Sequence, residues 1–213
     1  LVMSAVCLAM AGGLYLLIGD FTGHGLASSI GSVPIAQAFY TLAERNTAVA
    51  TMARELNRIL HRFLPSSMFC AMTVLELNAG RTLLEAWTGG LPDALIIAAD
   101  GSLRRRLASN HMPLGILENH EFEAFCEKVE LQEGDRILLY TDGVNEASDP
   151  QGQLFGEERL HAVVCSPEPD IIGRTLQAVR AFMEAETFQD DLSLVVDALA
   201  TKLAVPNRTT DYR

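Results

Sequence analysis

Arg136-Ile137-Leu138-Leu139-Tyr140-Thr141-Asp142-Gly143 is the most strongly apolar strand-like run of the chain, and it ends on a carboxylate followed at once by a glycine turn. Such a carboxylate has to be hydrogen-bonded, neutralised or bound to a cation, because an unpaired charge in low dielectric is very costly. Two other segments repeat the arrangement. Leu16-Leu17-Ile18-Gly19-Asp20 runs into Phe21-Thr22-Gly23-His24-Gly25, and Gln189-Asp190-Asp191 opens the apolar Leu192-Ser193-Leu194-Val195-Val196. Each acid taken singly fits the end of a strand or the start of a turn. The three together point to a metal cage.

A cage of carboxylates suits hard, oxygen-seeking cations such as Mg²⁺ or Mn²⁺, which keep waters and a substrate phosphate in their shells. Zinc or copper would call for His and Cys. The three segments lie far apart in the chain, so one site requires a fold that brings their strand ends together.

The order of elements suggests such a fold. Leu1 to Met10 and Leu14 to Asp20 read as a hairpin, followed by helices from Leu26 to Glu44, with Pro34 expected to kink it, and from Ala48 to Phe63. Strands are expected over Phe69 to Leu77, Thr82 to Trp87, Ala94 to Ala99 and Leu103 to Leu107. A further strand carries Phe122, Phe125 and Val129 and precedes Arg136 to Thr141. Helices over Glu157 to Val164 and Asp170 to Glu186 lead to a last strand, Leu192 to Leu199. Successive strands with inserted helix pairs predict an α+β layered domain.

Ile18-Gly19-Asp20-Phe21-Thr22-Gly23-His24-Gly25, Leu139-Tyr140-Thr141-Asp142-Gly143-Val144-Asn145-Glu146-Ala147 and Asp190-Asp191-Leu192-Ser193-Leu194 resemble the three metal motifs of SpoIIE-like bacterial protein serine phosphatases, members of the PPM group of metal-dependent phosphatases. Trp87-Thr88-Gly89-Gly90-Leu91-Pro92-Asp93 and Met112-Pro113-Leu114-Gly115 fall in the family's order too, so the resemblance covers nearly the whole chain. It implies two packed antiparallel β-sheets flanked by pairs of helices. It also implies two or more Mn²⁺ or Mg²⁺ ions, with Asp20 bridging, the carbonyl of Phe21 adding a ligand, and Asp142 and Asp190 completing one shell. Asp191 matches a position that is often acidic, as a ligand or as a residue supporting one. Two ions about 4 Å apart would activate a water for attack on phosphorus, with no protein nucleophile required. His24 shares the loop of Asp20, but the family can hold Lys there, so an essential acid role is not expected. Leu91 and Ser193 stand where the family more often has His and Thr.

The resemblance further implies a phosphorylated regulatory protein of the anti-sigma-factor antagonist type as substrate, and fusion to a receiver or sensor domain. The phosphatase domain is expected over residues 1–200, with 201–213 a polar tail or linker. The opening inside a strand reads as a cut from a longer protein. The family's Gly-Asp pair before this strand is absent, so an outer ligand is expected to be missing.

Composition is consistent with one such domain. The 213 residues, 49% of them hydrophobic, can bury a sizeable core without cross-links. The net charge of -11 disfavours nucleic acid and anionic membranes as partners. Cys7, Cys70, Cys126 and Cys165 are scattered, with no CxxC pair, and read as core residues of a reduced, cytoplasmic protein. No apolar run reaches the ~18 residues that span a bilayer. His61, His111, His120 and His161 are expected on the surface. Arg104-Arg105-Arg106 reads as a solvated strand, with steering of a phosphorylated partner as the alternative.

Two other functions fit parts of this pattern. A haloacid dehalogenase-like phosphatase would need a second Asp two places before Asp142, where Tyr140 stands. A pseudophosphatase would keep the fold and bind a regulatory protein without turnover; the intact Asp20, Asp142 and Asp190 favour activity.

Overall fold

The computed structural model describes residues 2–10, 13–22, 26–65, 67–168, 170–184 and 193–198, with the backbone alone for 2–10, 26–30 and 196–198. Among the described residues, nine strands form two antiparallel sheets. The larger holds β1 (Val2–Met10), β2 (Gly13–Phe21), β3 (Cys70–Asn78), β4 (Leu83–Gly89) and β7 (Glu127–Glu130), in the order β1-β2-β3-β4-β7. The smaller runs β6 (Leu103–Leu107), β5 (Ala94–Ile97), β8 (Arg136–Tyr140) and β9 (Leu194–Ala198), in the order β6-β5-β8-β9. Helices α1 (Leu26–Glu44) and α2 (Val49–Phe63) pack on the larger sheet, and α3 (Gly156–Val164) and α4 (Ile171–Met183) on the smaller.

Strand alternation explains the layers, since successive side chains point to opposite faces. On β2, Leu14, Leu16 and Ile18 fill the space between the sheets, while Tyr15 and Leu17 pack under α1 and α2. On β8, Ile137 and Leu139 point inward, and Leu138 and Tyr140 meet α3 and α4. Both strands are apolar at nearly every position because both of their faces are covered. The described core therefore has three apolar layers, one between the sheets and one under each helix pair.

Helix α2 buries Val49, Met52, Ala53, Leu56, Asn57 and Leu60, a stripe at helical spacing. Asn57 is the polar member. Its Nδ2 donates to the Leu117 carbonyl (3.0 Å), and its Oδ1 accepts from the Gly115 amide (2.9 Å), which pins residues 115–117 to the helix. Helix α1 runs unbroken through Pro34, held over the sheet by buried Ile35, Phe39 and Ala43.

Boundaries differ from the sequence expectation at β7 and at the end of β5. The strand expected around Phe122 and Phe125 is confined to Glu127–Glu130. Phe122 instead packs on Trp87 from irregular backbone, with ring centroids 5.5 Å apart, and Phe125 is 70% exposed. Strand β5 stops at Ile97, where its register with β6 slips. Asp170 caps α4 through its carboxylate, accepting from the Gly173 amide at 2.9 Å, and Glu184 ends the helix in the left-handed conformation.

Candidate active site

Strand directions bring Asp20 and Asp142 to one edge of the sandwich. The end of β2 lies beside the start of β3, with Phe21 opposite Cys70. The chain returns from β3 through the turn at 78–81, so β4 finishes at that same edge, with Gly89 opposite Met72. Residues 90–93 then cross to the start of β5 in the other sheet. Strand β8 is antiparallel to β5, so its end, with Asp142 directly after Thr141, returns to the edge where β2 delivers Asp20.

Asp20 is half-buried and has the inward parity of Leu14, Leu16 and Ile18, between the sheets. Its charge reaches the neighbouring strand. Burial first, and the Asp20 carboxylate second, push the Cys70 thiol far above its ordinary range. The next turn is locked by Thr22, whose amide donates to the Phe69 carbonyl (3.0 Å) and whose Oγ1 accepts from the Phe69 amide (2.9 Å). Phe21 itself is buried under α1. A Cβ on Gly31 would lie 2.6 Å from the Phe21 ring, so a larger residue there would force the ring or the helix to shift.

Asp142 is exposed and begins a 3₁₀ turn, Asp142–Val144. Its carbonyl accepts from the Glu146 amide at 2.8 Å. Thr141, fully buried, bonds twice to Ser193: its amide donates to the Ser193 carbonyl (3.2 Å), and its Oγ1 accepts from the Ser193 amide (3.1 Å). Thus the strand ahead of Asp142 is paired with the segment that begins two residues after Asp191. Asp190, Asp191 and His24 lie outside the described residues.

The crossing at 90–93 is held by close backbone approach. Gly90 has φ +80°, and a Cβ there would stand 2.5 Å from the Pro113 ring, so 87–93 and 112–115 are packed against each other. Leu91 is buried between the sheets. Asp93, given no role from sequence, accepts from the Ser109 amide at 3.0 Å. Its charge, after burial and Glu157, helps to hold the Tyr140 hydroxyl above its ordinary range.

The donors at this edge are oxygens: two carboxylates on different sheets, backbone carbonyls, and the buried Asn145 Oδ1, which no hydrogen bond satisfies. That set fits a hard cation better than a soft one. No group of three or more His, Cys, Asp or Glu gathers among the described residues. Two of the four acids expected to act there are outside them.

Other singled-out residues take structural places. Arg104 pairs with buried Asp135, Arg105 with Glu127 at 3.3 Å, and Arg106 with Glu157 at 2.9 Å, so the basic run forms ion pairs along β6. His111 departs from the surface expectation. It stacks on Trp87 with centroids 5.3 Å apart, and its Nε2 lies 2.8 Å from the Phe125 carbonyl. His161 is also half-buried, 3.0 Å from Arg106 through Nδ1. The two threonines flanking the acids, Thr22 and Thr141, were not marked by sequence reasoning. Their signal was a β-branched hydroxyl next to Asp142 and two residues after Asp20.

A sandwich of two antiparallel sheets between helix pairs, with acids from both sheets at one edge, is the architecture of PP2C-type, metal-dependent phosphatase domains. The model of the family Stage II sporulation protein E (SpoIIE) matches residues 10–198, and the chain belongs to that family. Phosphoserine phosphatase RsbU of Bacillus subtilis (strain 168) is 22% identical over 186 residues, which cover 85% of this chain and 54% of that protein. The chain thus spans about half the length of this curated relative. Among solved structures, the SiaA-PP2C domain of Pseudomonas aeruginosa superposes with a TM-score of 0.76 at 16% identity, over 91% of this chain and 79% of that one. RsbX in complex with magnesium gives 0.70 at 13% identity, over 92% of this chain and 86% of that one. No helix among the described residues is long and apolar enough to cross a membrane.

Proposed function

We propose that the chain is a cytoplasmic protein phosphatase that hydrolyses phosphoserine or phosphothreonine on a regulatory partner protein with two or more Mn²⁺ or Mg²⁺ ions. The observation that carries this reading is the delivery of Asp20 and Asp142, from different sheets, to one sandwich edge. Asp20, the Phe21 carbonyl, Asp142, Asp190 and Asp191 would hold the ions. Bound there, the ions supply Lewis acidity toward water and the phosphoryl oxygens. The chain's own part is placement. Thr22 fixes the turn after Asp20, and Gly90 lets the crossing pack closely on Pro113. The expected partner is a phosphorylated protein of the anti-sigma-factor antagonist type, in keeping with the family and with the RsbU likeness. A receiver or sensor domain fused to this one would supply control.

Release of phosphate from a phosphoserine peptide tests the reading. Hydrolysis is expected to require Mn²⁺ or Mg²⁺, to stop with a chelator and to return when the metal is restored. Hydrolysis unaffected by exhaustive chelation would refute it.

A further inference from the structure

We infer that Thr141 is a positioning residue for Asp142, acting through a side-chain hydrogen bond to the backbone of the neighbouring strand segment. The inference rests on the functional reading above. Thr141 occupies the N-cap of the 3₁₀ turn Asp142–Val144, a place where a threonine oxygen ordinarily accepts from an amide of its own turn. Here no such bond forms. The hydroxyl is directed across the sheet, where Oγ1 accepts from the Ser193 amide at 3.1 Å.

Regular pairing of β8 with β9 ends at Tyr140 opposite Leu194. Thr141 adds two more bonds to Ser193, one through its amide and one through its side chain, and one residue later the chain turns into the 3₁₀ segment. Val144 donates to the Thr141 carbonyl at 3.1 Å, so the turn that carries Asp142 is built on Thr141. Thr141 is 0% exposed, whereas Asp142 beside it is exposed. A buried anchor under an exposed acid is the arrangement that fixes a ligand's direction, and removing such a support typically weakens metal binding 10–100-fold. The hydroxyl also satisfies a backbone amide that would otherwise lose its acceptor.

Thr141→Val removes the hydroxyl and keeps shape and β-branching; Thr141→Ser keeps the hydroxyl. Calorimetric titration with Mn²⁺ alone should show affinity about tenfold weaker in Thr141→Val and close to wild type in Thr141→Ser. Half-maximal hydrolysis by Thr141→Val should require about tenfold more Mn²⁺ than the wild type, and Thr141→Ser should restore the wild-type requirement. Equal Mn²⁺ affinity in wild type and Thr141→Val would overturn the positioning role. Failure of the wild-type chain to bind Mn²⁺ would refute the functional reading and this role with it. Should the valine variant not fold, amide exchange in the wild type decides the matter: Mg²⁺ should slow exchange at Ser193, and an unchanged rate would overturn the inference.

Discussion

Burial separates the thiols from the carboxylates in what they can do. The Cys70 thiol is pushed far up by burial and by Asp20, Cys126 is pushed up to about 12 by burial and Glu85, and Cys165 rises through burial. A thiol whose thiolate is this disfavoured is a poor nucleophile near neutral pH. Iodoacetamide at pH 8 should therefore leave metal-dependent hydrolysis within about twofold of the untreated chain, with labelling at Cys70 by mass spectrometry lagging far behind that in the denatured chain. Loss of activity with unchanged circular dichroism would reopen a thiol mechanism. The acids were legible in sequence because three separate segments each join a carboxylate to an apolar run, a pattern that points to a cage only when the three are taken together. Thr141 and Thr22 were not, since a hydroxyl's partner is set by tertiary structure: Ser193 in one case, Phe69 in the other.

Strands β2 and β8, buried on both faces, could be read directly, and so could the exposed β6, whereas the extent of β7 could not. β2 and β8 are apolar at nearly every position, so their extents follow from composition. β7 holds Val129 as its one buried residue among Glu127, Lys128 and Glu130, and the nearby Phe122 and Phe125 drew the expected strand too far upstream. Helix α2 was clear from its apolar stripe, yet the function of Asn57 within that stripe was not. Its two bonds to residues 115 and 117 anchor the segment that packs on the crossing at 90–93. Asn57→Ala leaves the Gly115 amide and the Leu117 carbonyl without this partner, which should cost about 2–4 kcal/mol. Urea denaturation should show the midpoint fall with an unchanged slope. A midpoint equal to wild type would mean that water or a rearranged loop replaces both bonds.

The convergence of the acids belongs to the whole sandwich, and no local pattern could reveal it. It depends on the direction of β4, on residues 90–93 crossing between sheets, and on β8 running antiparallel to β5. Family resemblance supplied that topology before the structure did, and the match over residues 10–198 agrees with it. If Asp20 and Asp142 serve one centre, removing either should cost as much as removing both, because residues acting as a unit are strongly non-additive. The direct test is the Mn²⁺-dependent rate of phosphate release by Asp20→Asn, Asp142→Asn and the double variant, with folding checked by circular dichroism. All three should fall by at least about a thousandfold to a common floor, as expected when a preorganised charge-stabilising centre is lost. Retained turnover in Asp142→Asn, or two partial losses that multiply in the double variant, would contradict a single site at the sandwich edge.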